Sequence, residues 1–127
     1  MSTEAIAKVI DSYFANMGAM NPDEAVKNFA EDALIYDPVG KPPSKVEDYP
    51  KLCEILSMVF DKLEVTKDKV FIAGNGAAVK WSMSATGKNG KVGTAEGISV
   101  FDLDDSGKIQ QVCSYWDDEA MMAQIRD

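Results

Sequence analysis

The residues that could carry chemistry in this chain are carboxylates and tyrosines. The sequence of 127 residues contains no histidine, which excludes Ser-His and Cys-His nucleophilic catalysis and every metal site built on histidine. Any proton transfer must therefore use Asp, Glu, Tyr or Lys. Two candidates are Tyr13, on the apolar face of a predicted helix, and Asp37, at the end of a predicted strand. Taken alone, Tyr13 is typical of a core tyrosine and Asp37 of a turn aspartate.

Two further acids and two cysteines have simpler interpretations. Glu96 lies in the middle of a β-rich run, where a carboxylate usually faces solvent. Asp117 follows the last such run, where an aspartate is typical of a helix cap. Cys53 and Cys113 are isolated thiols without CxxC spacing, which excludes a zinc or iron–sulfur ligand set. The sequence calls for neither a metal nor an organic cofactor.

The first half of the chain predicts helices interrupted by one short strand. Apolar residues recur at three- and four-residue spacing in the first segment, and Asn21-Pro22 combines a helix cap with a proline suited to the first turn. Pro50 indicates that the third helix begins late or kinks early. The predicted elements are helices over 6–17, 22–29 and about 46–63, and a strand over 33–37 that ends at Pro38-Val39-Gly40.

The second half changes to β-rich runs separated by glycine-containing turns, which predicts an antiparallel meander. Its strands are predicted at Val65–Ala73, Ala77–Thr86, Val92–Leu103 and Ile109–Tyr115, followed by a helical turn or two from Asp117 to near Arg126. Without repeats or linkers, we expect a single domain over residues 1–127. The fold class is α+β, with a curved, mostly antiparallel sheet wrapped around a long helix. Such a cone is open at one end, where a ligand could enter.

Charge and hydropathy limit the partners and the location. The net charge of −8 repels nucleic acid and anionic membrane surfaces. No apolar run approaches the roughly 18 residues that span a bilayer. The first residues do not form a secretory signal, so a reducing cytoplasm is the expected location.

Four motifs together resemble the ketosteroid isomerases of the nuclear transport factor two-like superfamily, over nearly the whole chain. They are Tyr13 on helix one, Asp37-Pro38-Val39-Gly40 at a strand end 24 residues later, the acidic turn from Phe101-Asp102 to Gly107-Lys108-Ile109, and Tyr115-Trp116 near the end of the last strand. The resemblance implies a cystatin-like cone that binds an apolar small molecule. It also implies a homodimer formed through the outer face of the sheet.

In these isomerases an aspartate moves a proton while a tyrosine and a protonated aspartate stabilise the enolate oxygen. The resemblance implies that Asp37 is the base and Tyr13 an oxyanion donor in a steroid delta-isomerase-like reaction. It places Trp116 in the wall of the cavity. The two-residue strand period puts Ser114 and Val112 on the same face as Trp116, and Phe101 is a further candidate lining residue.

The chain departs from this family at the second oxyanion donor. The position of the protonated acid corresponds to Gly97, or to Ser99 if the longer turn after Phe101 shifts the frame. Glu96 has the opposite strand parity and reaches the cavity only if a bulge turns its side chain inward. Otherwise Glu96 is a surface acid.

Two other functions are possible for this fold. A polyketide cyclase-like aldol enzyme would use Asp117 as its base, although parity puts Asp117 opposite Trp116. A module that binds hydrophobic ligands without catalysis would need neither acid. Epoxide-opening and dehydratase chemistry are excluded, because they need an Asp-Arg-Asp or His-Asp set and the single arginine of this chain is Arg126.

Overall fold

A long first helix packs against one face of a six-stranded sheet. The computed structural model describes residues 2–126. The helices are α1 (Thr3–Ala19), α2 (Pro22–Ala25), α3 (Tyr49–Val59) and α4 (Asp118–Ile125), with single 3-10 turns at Val26–Asn28 and Val46–Asp48. The strands are β1 (Phe29–Tyr36), β2 (Ser44–Lys45), β3 (Phe60–Ala73), β4 (Gly76–Gly87), β5 (Val92–Leu103) and β6 (Ile109–Tyr115).

The sheet has the strand order β2-β1-β6-β5-β4-β3. Strands β3 to β6 form an antiparallel meander, and β1 inserts beside β6 in the parallel direction. The α+β class and the curved, mostly antiparallel sheet are therefore confirmed. Because β1 lies next to β6, the ends of these two strands meet at one edge of the core, which brings the segments after Tyr36 and Tyr115 together.

Alternation along the strands decides which side chains face the helices. In β4 every second residue is buried, and Trp81 and Met83 point inward. In β5 the inward residues carry odd numbers, from Gly93 to Leu103. The apolar stripe of α1 covers this face through Ile6, Ile10, Tyr13 and Phe14.

The helix ends follow their predicted caps. The Ser2 side chain accepts a hydrogen bond from the Ala5 amide, and the Asn21 side chain accepts one from Glu24. Asp117 caps α4 in the same way, by accepting from the Ala120 amide at 2.9 Å. These caps satisfy amides that a helix start leaves without an internal partner.

The ends of the second and third helices, and with them the starts of the strands that follow at 33 and at Val65, were predicted incorrectly. The third helix ends at Val59 and not at 63, because Phe60 and Leu63, whose spacing also suits a helix, point inward from the start of β3. The second helix ends before Phe29, which already begins β1. An irregular register between Phe29 and Leu34 disrupts the two-residue period and hides this start in the sequence.

Candidate functional site

One cavity of about 240 Å³ lies between the inner face of the sheet and helices α1, α3 and α4. Aliphatic, aromatic and methionine side chains form most of its wall. The residues with polar or titratable groups in that wall are Tyr13, Asp37, Tyr49, Cys53, Trp81, Ser99, Ser114, Trp116 and Asp118. The cavity thus has a few polar groups in an otherwise apolar surface, which is typical of a small-molecule site.

Asp37 is one of the two carboxylates in the described wall of this cavity. It directly follows β1, and the next segment is fixed to β6 by a 2.9 Å hydrogen bond from the Val39 amide to the Ser114 carbonyl. The Trp116 indole nitrogen donates a 2.6 Å hydrogen bond to its Oδ1 atom. The residue is exposed, although protein surrounds its carboxyl group densely. Asp37 is therefore placed where a ligand can touch it.

The surroundings of Asp37 favour its neutral form. Burial raises the pKa of this carboxyl, the hydrogen bond from Trp116 opposes that shift, and the negative charge of Asp118 adds to it. The net effect is a raised pKa. A carboxylate so placed is a stronger base than one in water, since its charged form is incompletely solvated.

Tyr13 presents its hydroxyl to the same cavity from α1. Its ring is 2% exposed and packs edge-on against Phe14 and Phe101, at centroid distances of 5.0 and 4.9 Å. Burial and the nearby Asp37 charge raise the pKa of the phenol well above its usual value, whereas a hydrogen bond with Ser114 lowers it. Tyr13 is thus a neutral hydrogen-bond donor at any pH near 7.

Ser99 and Ser114 form a buried hydrogen-bonded group with Trp81. The two hydroxyl oxygens lie 2.7 Å apart, and the Trp81 indole nitrogen donates to the Ser99 hydroxyl at 2.9 Å. Both serines are at most 2% exposed. These contacts form one buried row of hydrogen bonds from Trp81 through Ser99 to Ser114.

The position that the family resemblance gives to a second acid is sterically closed. A Cβ atom at Gly97 would lie 2.6 Å from the Tyr115 carbonyl oxygen, 2.7 Å from the Trp116 Cβ and 2.8 Å from the Trp81 ring. All three distances are shorter than the closest approach of a Cβ atom to carbon or oxygen atoms in folded proteins. The two tryptophans therefore occupy the space that an acidic side chain at 97 would need.

Two acids considered for the site lie elsewhere. Glu96 points from the outer face of β5, with its side chain 76% exposed and 3.3 Å from the Lys80 ammonium, because the strand keeps its parity across this point. It is not an oxyanion donor in this structure. Asp117 caps α4 and does not line the cavity, whereas its neighbours Trp116 and Asp118 do.

Two of the four residues that were predicted to line the cavity lie behind its wall, in the hydrophobic core. Trp116 and Ser114 line the cavity as predicted. Phe101 and Val112 are fully buried in the core, since the rings of Tyr13 and Phe14 cover Phe101.

Tyr49 and Asp118 are cavity residues that sequence reasoning missed. Tyr49 is 7% exposed, packs against Phe29 and makes no hydrogen bond through its hydroxyl within residues 2–126. Burial, Cys53 and Asp37 together raise its pKa. Asp118 pairs with Lys41 at 2.7 Å beside the cavity. The signal for Tyr49 was its place beside Pro50 at a helix start, which gives no indication of which way the ring points.

The electrostatic character of the cavity is neutral to acidic. Among the described residues that line it there is no lysine or arginine. Within residues 2–126 no group of three or more His, Cys, Asp or Glu side chains is arranged to hold a metal ion. No helix in this part of the chain is long and apolar enough to cross a membrane.

The fold and the cavity define a class of protein, namely α+β cones in which a curved sheet and its covering helices enclose one apolar pocket. The chain belongs to the SnoaL-like domain family, whose model matches residues 10–112. This assignment places it among the nuclear transport factor two-like proteins and confirms the resemblance seen in the sequence. A comparison with curated protein sequences gave no match.

Solved structures share this fold at low sequence identity. RV0760c from Mycobacterium tuberculosis is 17% identical with a TM-score of 0.81, covering 94% of this chain and 96% of that one. The Delta 5-3-ketosteroid isomerase from Mycobacterium sp. is 20% identical with a TM-score of 0.76, covering 92% and 96%. An epoxide hydrolase of the LEH-like type from M. tuberculosis is 18% identical with a TM-score of 0.78, covering 98% and 90%. At these identities the likeness shows the fold alone.

Proposed function

We propose that this protein catalyses a steroid delta-isomerase-like proton transfer on an apolar ketone, with Asp37 as the base and Tyr13 as an oxyanion donor. The observation that carries the proposal is a carboxylate of raised pKa beside a buried, neutral phenol in an otherwise apolar cavity. A general base is most effective when its pKa approaches the working pH.

The chemistry needs only these two kinds of group. Asp37 removes a proton from the carbon between the carbonyl and an isolated double bond, and the electron pair moves to the carbonyl oxygen. Tyr13 donates a hydrogen bond to that oxygen, where the negative charge develops. Asp37 then returns the proton two carbons farther along, and the double bond becomes conjugated with the ketone.

Because residue 97 is a glycine, the site lacks an acid as second oxyanion donor, and this lowers the turnover that we expect for isomerisation. Loss of one oxyanion donor costs roughly 100- to 1,000-fold in turnover. We therefore expect slower isomerisation than a site with a tyrosine and a protonated acid would support. The cavity of about 240 Å³ also favours small ligands, since it lies below the usual range of pocket volumes, which begins at roughly 300 Å³.

The alternatives have less support. A cyclase-like aldol reaction through Asp117 is disfavoured because this carboxylate is engaged at the start of α4, outside the cavity wall. Epoxide opening is disfavoured because Arg126 pairs with Glu119 and is absent from that wall. A module that binds hydrophobic ligands without catalysis remains the second candidate, since the mostly apolar wall serves binding alone equally well.

The test is conjugated-enone formation from a β,γ-unsaturated ketosteroid and from a smaller bicyclic β,γ-unsaturated ketone, followed by ultraviolet absorbance. We expect Asp37→Asn to lose turnover while ligand affinity is retained. Glu96→Gln, which changes an acid on the outer face, is the matched control and should keep wild-type turnover. Turnover that is absent in the wild type, with tight binding of either ketone, would favour the binding module.

We also propose a homodimer formed through the outer face of the sheet. Phe71, Val100 and Tyr115 expose 66%, 37% and 55% of their surface there, and Ile98 exposes 46%. Ile98 and Tyr115 are direct cross-strand partners, so these side chains form a continuous apolar area. A cytoplasmic location stays a prediction.

A further inference from the structure

We propose that the cavity also binds a small apolar molecule that carries a protonated amine, with the ammonium group against Asp37 and the hydrocarbon body among aromatic and methionine side chains. This ligand class goes beyond the neutral ketone of the proposed function. The inference does not depend on that function, because it concerns binding alone.

The charge of the cavity wall is negative. Its carboxylates are Asp37 and Asp118, and its described residues include no lysine or arginine. Since the chain has no histidine, no side chain in the described wall carries a positive charge. A cleft lined by one sign of charge attracts ions of the opposite sign, so the cavity favours a cation over an anion of the same size.

The two carboxylates differ in their counter-ions. The Lys41 ammonium pairs with Asp118 at 2.7 Å. Among residues 2–126, Asp37 pairs with no lysine or arginine. Asp37 is therefore the carboxylate of the wall that a cationic ligand would balance.

Asp37 also keeps hydrogen-bond acceptors for a ligand. An ionised carboxylate has about four lone-pair sites, and the Trp116 indole nitrogen uses one of them at 2.6 Å from Oδ1. No second donor from the described part of the chain bonds this carboxyl group. An alkylammonium group has three N–H donors, so it supplies both the missing donors and the missing positive charge.

Tyr49 is a second polar group in this wall without an internal partner. The residue is 7% exposed, and its hydroxyl makes no hydrogen bond to another described residue. Within residues 2–126 no fully buried side-chain nitrogen or oxygen lacks a partner, so the Tyr49 oxygen is reached from the cavity that the residue lines. A phenol oxygen can accept a hydrogen bond from an N–H donor.

The rest of the wall suits a cation on a hydrocarbon body. Aromatic faces attract cations, and the indole of Trp116 both lines the cavity and contacts Asp37. Methionine side chains adapt to ligands of different shape. The aromatic and methionine residues of the described wall are Tyr13, Phe14, Met17, Met20, Tyr49, Phe60, Trp81, Met83, Trp116, Met121 and Met122.

Binding of 2-aminotetralin near pH 8 tests the proposal without relying on turnover. Alkylamines titrate near the lysine value of about 10.4, so the probe carries its positive charge at this pH. The matched ligand is 2-tetralol, which has a neutral hydroxyl on the same two rings. Isothermal titration calorimetry measures both affinities.

We expect the wild type to bind the amine roughly ten- to 100-fold more tightly than the alcohol, as is typical of hydrogen bonds to a charged group. Asp37→Asn should remove this preference through loss of amine affinity, while the affinity for 2-tetralol changes little. The matched control is Glu96→Gln, which removes the same charge from the outer face of β5 and should keep the preference.

Three results would overturn the proposal. They are equal affinities of the wild type for amine and alcohol, a preference that survives in Asp37→Asn, and an equal loss of preference in Glu96→Gln, which would assign the effect to the overall charge of the protein.

Enone formation separates this proposal from the proposed function. Turnover that depends on Asp37, with no preference for the amine, would leave the isomerase proposal standing and the amine site wrong. A preference that Asp37→Asn removes, in a protein that turns over neither ketone, would support the amine site and contradict the isomerase.

Discussion

The indole of Trp116 and the carboxylate of Asp37 are joined by a 2.6 Å hydrogen bond across the adjacent ends of β6 and β1. The donor stabilises the charged form of Asp37 and so limits the rise in its pKa that burial and Asp118 produce. Trp116 also forms part of the cavity wall. The Trp116 side chain therefore influences both the basicity of the Asp37 carboxylate and the shape of the cavity.

Replacing Trp116 by Phe should move the activity of Asp37 to higher pH. The base must be ionised, so kcat/KM for enone formation rises with pH through the pKa of Asp37. Without the indole N–H, that pKa increases and the midpoint shifts upward. A pH–rate profile of Trp116→Phe against wild type checks the shift, with Glu96→Gln, a change on the outer face of β5, as the control. An unchanged midpoint would show that the hydrogen bond does not tune the base.

Asp37→Asn should raise the free energy of unfolding at neutral pH. The folded pKa of Asp37 lies above its ordinary value, so the unfolded state releases this proton first and stability falls as the pH rises between the two values. Asn accepts the Trp116 hydrogen bond without a charge.

Urea unfolding of both proteins from pH 8 down to about pH 3.5, below the ordinary pKa of Asp, measures this difference. The advantage of Asp37→Asn should grow with pH, level off above the folded pKa and shrink as the pH falls toward the ordinary Asp value. A constant difference across this range would contradict a raised pKa at Asp37.

Gly97→Ala should destabilise the fold by about 1–3 kcal/mol. The new methyl group has no free space, because backbone oxygen and two tryptophan side chains lie within 2.8 Å of its position. Urea unfolding gives the value. Glu96→Ala, the neighbour on the outer face, should stay within about 1 kcal/mol of wild type, since an exposed ion pair contributes little. A Gly97→Ala protein as stable as wild type would show that the tryptophans can move aside.

The sequence predicted the cone and its two main polar residues because both depend on local signals. The 3.6-residue stripe through Tyr13 and the strand end at Asp37-Pro38 are visible without knowledge of the fold. The closed space at Gly97 was not predictable, since it arises where Trp81, sixteen residues earlier, and Trp116 meet across β5. The orientation of Tyr49 was hidden for the same reason, because it is set by packing against Phe29.

Tyr49→Phe should lower kcat/KM for the ketone roughly tenfold, in keeping with loss of one hydrogen bond to a charged oxygen, while stability changes little. Tyr49 lines the cavity, and its hydroxyl makes no hydrogen bond to another described residue, so removal of that hydroxyl breaks no internal hydrogen bond. Tyr36→Phe, on the opposite face of the sheet, is the matched control. If the two variants are equally active, Tyr49 contributes only its ring to the cavity wall.

Val100→Lys should convert a dimer into monomers. Val100 lies at the centre of the outer apolar area, with Ala78 and Cys113 as its cross-strand partners. A stable interface buries more than about 1,000 Å² in total, and a lysine in its middle would have to lose its water without gaining a partner. Light scattering over a range of concentrations measures the mass. Thr94→Lys, on the same face of β5 but among polar neighbours, should leave the dimer intact. A wild-type mass of one chain at all concentrations would rule out this assembly.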